Sequence, residues 1–251
     1  MEFGADLSIT YVMGGLAREY DPPHEQRLLH WLECGDRSGM PVDPRLWTEG
    51  PIRSTYPACM AVKAAAEQGP EAAERYLRAL REGLLCFRRK LDAKEALVEE
   101  ARGAGLDVAR FRSDIESHAI VEAFGADLES TRAIPPEAHE LEMVAPAGSG
   151  GERLVLPSLA FEGEGGTRWI FGEAAYDDWR GAALAAGGQA AGEPAPDVLT
   201  ALRRFGRMAG PEVEAVCDLP GPRANAELWR LAAEWRVTPV RVLTGVLWEP
   251  A

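Results

Sequence analysis

The sequence has four cysteines among 251 residues, and their arrangement signals neither a disulfide framework nor a metal site. No two of them form a C-x-x-C pair, and none has metal-ligand spacing with the four histidines. The cysteines are Cys34, Cys59, Cys86 and Cys217. Widely spaced thiols are typical of a reducing compartment, and residues 1–6 lack the basic and apolar regions of a secretory signal. We therefore expect a cytoplasmic protein that uses no metal and no cofactor.

Long apolar runs and an excess of basic residues are also missing. No run approaches the roughly 20 apolar residues that a membrane-spanning helix needs. The net charge of −13 disfavours binding to nucleic acid or to an anionic membrane surface. Neither a phosphate-binding loop nor a G-x-S-x-G nucleophile turn is present. These absences disfavour nucleic acid and membranes as partners, and the sequence gives no indication of the oligomeric state.

A β-hairpin followed by a helix is the clearest local pattern. Two runs rich in branched and aromatic residues, 153–162 and 167–172, flank a glycine-dense turn, and 173–184 has a helical composition. Pro157 supplies no ladder N–H, so it belongs at a strand entry, an edge or a bulge. An X-Pro bond at a strand entry is a place where a cis peptide occurs, and an ordinary edge proline is the alternative.

The segment from Pro22 to about Arg132 has a helical pattern almost throughout. Helices are predicted over 24–33, 56–69, 70–87, 94–102, 107–117 and 119–132. Before this block, Asp6–Met13 alternates apolar and polar residues and predicts a strand that runs into Gly14 and Gly15. After it, the pattern predicts a long loop over 134–152 and, behind the closing helix, a spacer over 185–196.

A strand, a helical block, a proline-entry hairpin and a closing helix in this order resemble the DsbA family of thioredoxin-like proteins. The phrases at 54–65 (STYPACMAVKAA) and 105–111 (GLDVARF) resemble its cytoplasmic, FrnE-like dithiol–disulfide isomerase group. The resemblance implies an α/β thioredoxin-like fold with a core of residues 1–20 and 140–190 and a helical insertion of residues 21–135. It begins after the point where the family carries its C-x-x-C segment, so we expect an N-terminally incomplete fold whose true start precedes Met1. A helical bundle capped by a hairpin is the alternative.

The same resemblance implies that the partner is a protein or peptide substrate and that it binds at the cis-proline face. Pro157 would be the family's cis-proline, with Leu156 and Ser158 beside it as substrate-binding residues. Cys59 is the candidate reactive thiol, because it lies in the first turn of a predicted helix, where the helix dipole lowers a thiol pKa. A packed cysteine in a helix is the competing interpretation.

Residues 197–251 have a separate pattern. Helix, helix-turn-helix and hairpin follow one another, an order that resembles a winged-helix module. Its reading helix would present Arg223, Asn225 and Arg230, and its wing Arg241. Residues 199–249 contain seven arginines and six acidic residues, so their net charge is close to zero. Glu227 on the reading helix would also repel phosphates. The sequence therefore favours packing or partner contact over DNA binding.

Three functions follow from these observations. The family implies a protein dithiol–disulfide oxidoreductase or isomerase, but without a C-x-x-C pair in this sequence we do not expect redox turnover. The alternative is a non-catalytic peptide-binding adapter or holdase that uses the cis-proline groove. Adapters that deliver proteins to proteases are known among DsbA-like proteins. A DNA-binding regulator that acts through the C-terminal module is the third hypothesis.

Overall fold

Helices dominate the structure, a computed structural model that describes residues 2–148, 150–190 and 192–251. A single 3-10 turn, Gly4–Asp6, precedes the first helix. The helices are α1 Glu25–Ser38, α2 Leu46–Glu49, α3 Tyr56–Ala66, α4 Pro70–Leu85, α5 Lys94–Gly103, α6 Val108–Asp114, α7 His118–Arg132, α8 Pro136–Glu140, α9 Tyr176–Ala185, α10 Val198–Phe205, α11 Gly210–Cys217 and α12 Gly221–Ala233. The strands are β1 Val144–Pro146, β2 Glu152–Leu154, β3 Ser158–Gly163, β4 Gly166–Phe171, β5 Met208–Ala209, β6 Val237–Val242 and β7 Gly245–Pro250. In the described part of the chain, no helix combines the length and the apolar character that crossing a bilayer requires.

The segments of the chain group into two compact units. The first consists of Met1–Tyr20, Arg53–Glu74 and Gly105–Glu193. The second consists of Asp21–Ile52, Arg75–Ala104 and Pro194–Ala251. The division predicted from the sequence, into a core, a helical insertion and a C-terminal module, stays a prediction.

The predicted helices are confirmed, and their ends follow from local chemistry. Helix α4 begins at Pro70, directly after a left-handed Gly69. Proline is suited to the first position of a helix because the N–H that it lacks would have no intrahelical partner there. The Asp107 side chain caps α6 by accepting hydrogen bonds from the backbone N–H groups of Ala109 and Arg110, both at 3.0 Å. The Ser117 hydroxyl caps α7 in the same way. The Ser117 cap thus fixes the start of α7, whose side chains form part of the candidate site.

The predicted hairpin is also confirmed. Strands β3 and β4 are antiparallel, and the register pairs Gly163 with Gly166 across a two-residue turn. Gly166 has φ +87°, a left-handed conformation that glycine adopts without a Cβ penalty. Helix α9 follows and begins at Tyr176, three residues later than the composition suggested.

Two sequence predictions about the first unit are wrong. Residues 7–13 form no strand, because an extended segment becomes a strand only when a neighbour pairs with it, and the described residues supply no such neighbour. The segment 134–152 is not a plain loop, since it contains α8 and most of a two-stranded sheet, β1 with β2. Strands of three residues are too short to produce a recognisable alternation.

The C-terminal segment has the predicted order of helices and a final hairpin. Its three-stranded sheet has the order β5-β7-β6, and the short β5 was not predicted. Helices α10, α11 and α12 pack on this sheet and enclose a core that includes Leu202, Val213, Leu228, Leu231 and Trp248. All five side chains are almost fully buried, so the segment holds an apolar core of its own.

An ion-pair network lies within the second unit. Arg78 of α4 donates to Glu82 at 2.7 Å and to both carboxylate oxygens of Glu212 of α11. Arg207 donates to Glu82 at 2.8 Å and to Glu249 of β7 at 3.0 Å. Because the carboxylates share two guanidinium groups, removal of one arginine leaves charges unpaired in a partly desolvated place.

We expect Arg78→Met to lower the free energy of unfolding by about 2 kcal/mol, the usual scale for hydrogen bonds to charged groups. Urea unfolding followed by circular dichroism measures the change. Arg102→Gln is the matched control, because Arg102 pairs with Glu99 on an exposed helix face and its removal should cost less than about 0.5 kcal/mol. Equal costs for the two variants would contradict a structural role for the network.

Candidate functional site

The candidate site begins at the proline that precedes β3. The Leu156–Pro157 peptide bond is cis, as predicted. The Pro157 carbonyl accepts a hydrogen bond from the Gly172 N–H at 2.7 Å, which adds one rung to the hairpin. The Ser158 hydroxyl donates to the Val155 carbonyl. The proline is therefore fixed by the hairpin while its ring remains exposed to solvent.

Leu156 connects the proline to a second loop. Its half-buried side chain lies against Gly14, so closely that a Cβ built on this glycine would lie 2.4 Å from the Leu156 Cδ1 atom. No other residue type fits at position 14 unless Leu156 moves. In the described part of the chain, neither the N–H nor the carbonyl of Leu156 has a hydrogen-bond partner. These two backbone groups remain available beside the exposed proline.

Gly15 sets the path of this second loop. It is buried and has φ +57°, a left-handed conformation. A Cβ at this position would lie 2.8 Å from the Leu128 Cδ2 atom and 2.9 Å from the Tyr56 Cε1 atom. The Tyr56 ring also packs edge-on against Phe124, with 5.0 Å between the ring centroids. The loop therefore sits in an aromatic pocket between α3 and α7 that only a glycine can enter.

A carboxylate ties the loop to both helices. Asp127 of α7 accepts a hydrogen bond from the Met13 N–H at 2.8 Å through one oxygen. Its other oxygen pairs with the Lys63 ammonium of α3 at 3.0 Å. Both side chains of this ion pair are mostly buried, so the interaction is screened less than a surface pair. The position of Gly14 against Leu156 depends on this anchor.

Cys59 lies next to this loop and accepts a hydrogen bond from the Gly15 N–H. Burial, assisted by the negative charge of Asp127, raises the pKa of its thiol to about 11, although the Gly15 bond acts in the opposite direction. The prediction that the helix dipole lowers this pKa is wrong in sign, because desolvation of the thiolate outweighs it. Cys59 therefore remains a protonated thiol at neutral pH.

The other three cysteines lie in the second unit, and all four are free thiols. Burial raises the pKa of Cys86 to about 11 and also raises that of Cys217. Cys34 is half-buried on α1, where its sulfur lies 3.6 Å from the His30 Nε2 atom and accepts a hydrogen bond from Arg37. Thiol exchange requires a thiolate with a resolving thiol nearby, and the described residues of the first unit include no second cysteine.

The structure thus brings three of the predicted residues, Cys59, Leu156 and Pro157, to the two sides of one glycine loop. Sequence reasoning missed the roles of Gly14 and Gly15, although an adjacent glycine pair at the end of a predicted strand was a visible signal. It also missed Asp127, because the neighbouring sequence gives no sign that this acid differs from a solvent-exposed one on a helix surface.

The residues considered for DNA reading are arranged differently. Arg230 donates to Glu227 at 2.8 Å and also to Glu234, so its charge is neutralised on α12 itself. The pKa of the Glu227 carboxyl is lowered by the Arg230 guanidinium, as expected for a formed ion pair. This face of α12 offers little positive charge to a phosphate backbone.

We expect one thiol per chain to react quickly with iodoacetamide at pH 8, and peptide mapping to place it at Cys34. Thiols with a pKa of about 11, as at Cys59 and Cys86, are ionised in roughly one molecule in a thousand at this pH. Cys34→Ser should remove the fast phase, and Cys59→Ser should leave it unchanged. A fast phase that disappears with Cys59 instead would show an activated thiol at the candidate site.

Comparisons with known proteins agree with this geometry. Residues 1–135, more than half of the chain, match the thioredoxin family. A ClpXP adapter protein SpxH from Halalkalibacterium halodurans is 32% identical over 141 residues, which cover 53% of this chain and 46% of that protein. The chain thus spans about half the length of this relative.

Longer alignments exist with other relatives of the same name. SpxH of Bacillus subtilis is 28% identical over 87% of this chain and 70% of its own length. SpxH of Bacillus cereus strain ATCC 14579 is 24% identical over 99% of this chain and 82% of its own length.

A solved structure supports the fold. It belongs to a candidate protein disulfide isomerase from Nitrosomonas europaea and superimposes with a TM-score of 0.52 at 19% identity. The match covers 67% of this chain and 76% of the other, so the common fold extends over most of both proteins. With the cis-proline hairpin and the helical segments described above, the matches show that this chain belongs to the thioredoxin family, in its DsbA-like branch.

Proposed function

We propose that this chain is a non-catalytic adapter that binds an extended segment of a client protein at the face formed by Leu156, Pro157 and Ser158, and presents it to the ClpXP protease. The observation that carries the proposal is the similarity of this chain to proteins named ClpXP adapter protein SpxH. The face supports it, because the Leu156 N–H and carbonyl have no hydrogen-bond partner among the described residues and the Cys59 thiol is not activated.

Backbone chemistry explains why this face suits an extended peptide. The unpaired N–H and carbonyl of Leu156 can exchange two hydrogen bonds with a peptide that runs antiparallel to it. The exposed Pro157 ring and the half-buried Leu156 side chain offer an apolar contact beside these bonds. Main-chain recognition of this kind tolerates different side chains, which suits a protein that must accept a segment of a folded or partly unfolded client.

Thiol–disulfide exchange is the second candidate function, supported by the family and by the fold shared with a candidate isomerase. It requires a nucleophilic thiolate, whereas burial holds the Cys59 thiol in its protonated form. The finer assignment to the FrnE-like group and a cytoplasmic location stay predictions. DNA binding ranks third, because Arg230 of the proposed reading helix is paired with two glutamates.

Binding of an unfolded polypeptide tests the adapter function directly. We expect a fluorescein-labelled, reduced and carboxymethylated protein to bind, and Leu156→Glu to weaken binding about tenfold by placing a charge on the apolar contact. Fluorescence anisotropy measures the affinity. Leu141→Glu is the matched control, because Leu141 is 60% exposed and lies outside the face, so it should leave the affinity unchanged.

Delivery needs a second measurement. Purified ClpXP should degrade the same labelled polypeptide faster when the wild-type protein is added, and Leu156→Glu should abolish the acceleration. The redox function makes the opposite prediction, namely reduction of insulin with a thiol reductant that is lost in Cys59→Ser. Turnover in the insulin assay, or equal behaviour of the two leucine variants, would refute the adapter proposal.

A further inference from the structure

A cleft of about 340 Å³ opens within the second unit, where three segments of the chain meet. They are the loop before α2, the C-terminal end of α4 and the end of β6. The cleft is lined by Asp43, Arg45, Cys86, Phe87, Arg88, Arg241, Val242 and Leu243. Its volume lies at the lower end of the range for ligand sites, about 300–1,000 Å³.

Backbone hydrogen bonds fix the walls of this cleft. The Asp43 N–H donates to the Leu85 carbonyl at the end of α4, at 2.6 Å. The Val42 N–H donates to the Thr244 hydroxyl in the turn between β6 and β7, at 2.8 Å. The Cys86 thiol donates to the Pro41 carbonyl at 3.2 Å, so this thiol is used for packing. The three segments therefore present a preformed surface.

A buried carboxylate orients two of the arginines. Asp43 is only 3% exposed and accepts a hydrogen bond from the Arg45 Nε atom at 2.8 Å. The Arg88 Nε atom lies 3.3 Å from its other oxygen. The Arg45 guanidinium holds the pKa of the Asp43 carboxyl below its usual range. Asp43 thus stays ionised and fixes the guanidinium groups of Arg45 and Arg88. The remaining N–H donors of these groups do not bind Asp43.

The third arginine is Arg241, whose side chain makes no ion pair and no hydrogen bond in the described part of the chain. Arg88 pairs with Glu49 as well as Asp43, so three arginines are balanced by two carboxylates. The cleft therefore keeps a positive charge in a protein whose net charge is −13.

Backbone strain marks the same place. Arg88 has φ +55° directly after α4, at a position where a helix usually ends in glycine. A left-handed conformation costs a side-chain-bearing residue free energy, and such outliers concentrate at binding sites. The arginine at position 88 thus adopts this conformation at a cost to stability, which is consistent with a use for its side chain.

The remaining wall of the cleft is apolar. Phe87, Val242 and Leu243 line it, and Leu243 is 52% exposed. We propose that this cleft binds an acidic peptide segment of a partner protein, in which an Asp or Glu side chain pairs with Arg88 and Arg241 and a neighbouring large apolar side chain covers Leu243. Arginine is suited to this role because its planar guanidinium recognises a carboxylate through two parallel hydrogen bonds.

A free phosphate would use the arginines but not the apolar wall, and for this reason we favour the peptide. The site lies in a different unit from the cis-proline face, and the proposal does not depend on the adapter function. It assigns to the arginine of the predicted wing a protein contact in place of a DNA contact.

The test uses the full chain and a fluorescein-labelled octapeptide that alternates Glu and Leu, with a Gln-for-Glu peptide as the paired control. We expect Arg241→Gln to weaken binding of the acidic peptide at least tenfold in fluorescence anisotropy. The Gln peptide should bind the wild-type protein no more tightly than the acidic peptide binds this variant. Arg236→Gln is the control variant, because Arg236 lies just before β6 beside Glu234 and should not affect binding. Leu156→Glu should also leave this binding unchanged, which separates the cleft from the cis-proline face.

Arg88→Gly distinguishes a binding role from a structural one. It should weaken peptide binding to a similar extent and change the midpoint of urea unfolding little, because the relief of left-handed strain by glycine offsets the loss of the ion pairs with Asp43 and Glu49. Equal binding of the two peptides, or binding unaffected by Arg241→Gln, would overturn the proposal. Displacement of the peptide by pyrophosphate at a matching concentration would also overturn it, because the site would then be a phosphate site.

Discussion

The close packing of the Leu156 side chain against the backbone of Gly14 is the constraint on which the cis-proline face depends. Leu156 keeps its position beside Pro157 because residue 14 has no side chain to displace it. That position in turn requires Gly15 to enter the pocket between α3 and α7, and requires Asp127 to hold the Met13 N–H. Three contacts between separate parts of the chain therefore determine one small surface.

This dependence on remote contacts explains which parts of the molecule the sequence could predict. Helices α4, α6 and α7 were predictable because their information is local, in Pro70, in the Asp107 cap and in apolar residues at helical spacing. The proline-entry hairpin was predictable for the same reason. Asp127 was not, because its role arises only when α7 lies beside Met13, and no local pattern encodes that contact.

The strand prediction for residues 7–13 was wrong for the same reason, because it depended on a contact with a distant segment. The alternation over residues 7–13 describes which residues could form a strand, but pairing is a property of two segments. The three-residue strands β1 and β2 form because they meet in register, from Val144 opposite Leu154 to Pro146 opposite Glu152. Likewise, the cleft between Arg88 and Arg241 joins positions 153 residues apart along the chain, so no local reading of the sequence could combine them.

The thioredoxin-like fold can serve either catalysis or recognition, and the difference lies in the environment of a few atoms. Here the loop that supports the proline also covers Cys59, and the burial that makes this packing favourable makes the thiolate unfavourable. Stabilising the face and activating its thiol are therefore opposing requirements at this position.

The segment before Gly14, which joins no sheet in the described part of the chain, has a consequence for the behaviour of the protein in solution. Ile9 is 64% exposed, and Leu7 and Val12 are also accessible, on a stretch whose alternation would allow pairing with a neighbouring molecule. Mutual repulsion from the net charge of −13 opposes such encounters near neutral pH. That repulsion disappears as the solution approaches the isoelectric point of about 4.9, so colloidal stability in this protein depends on its acidity rather than on complete pairing of its backbone.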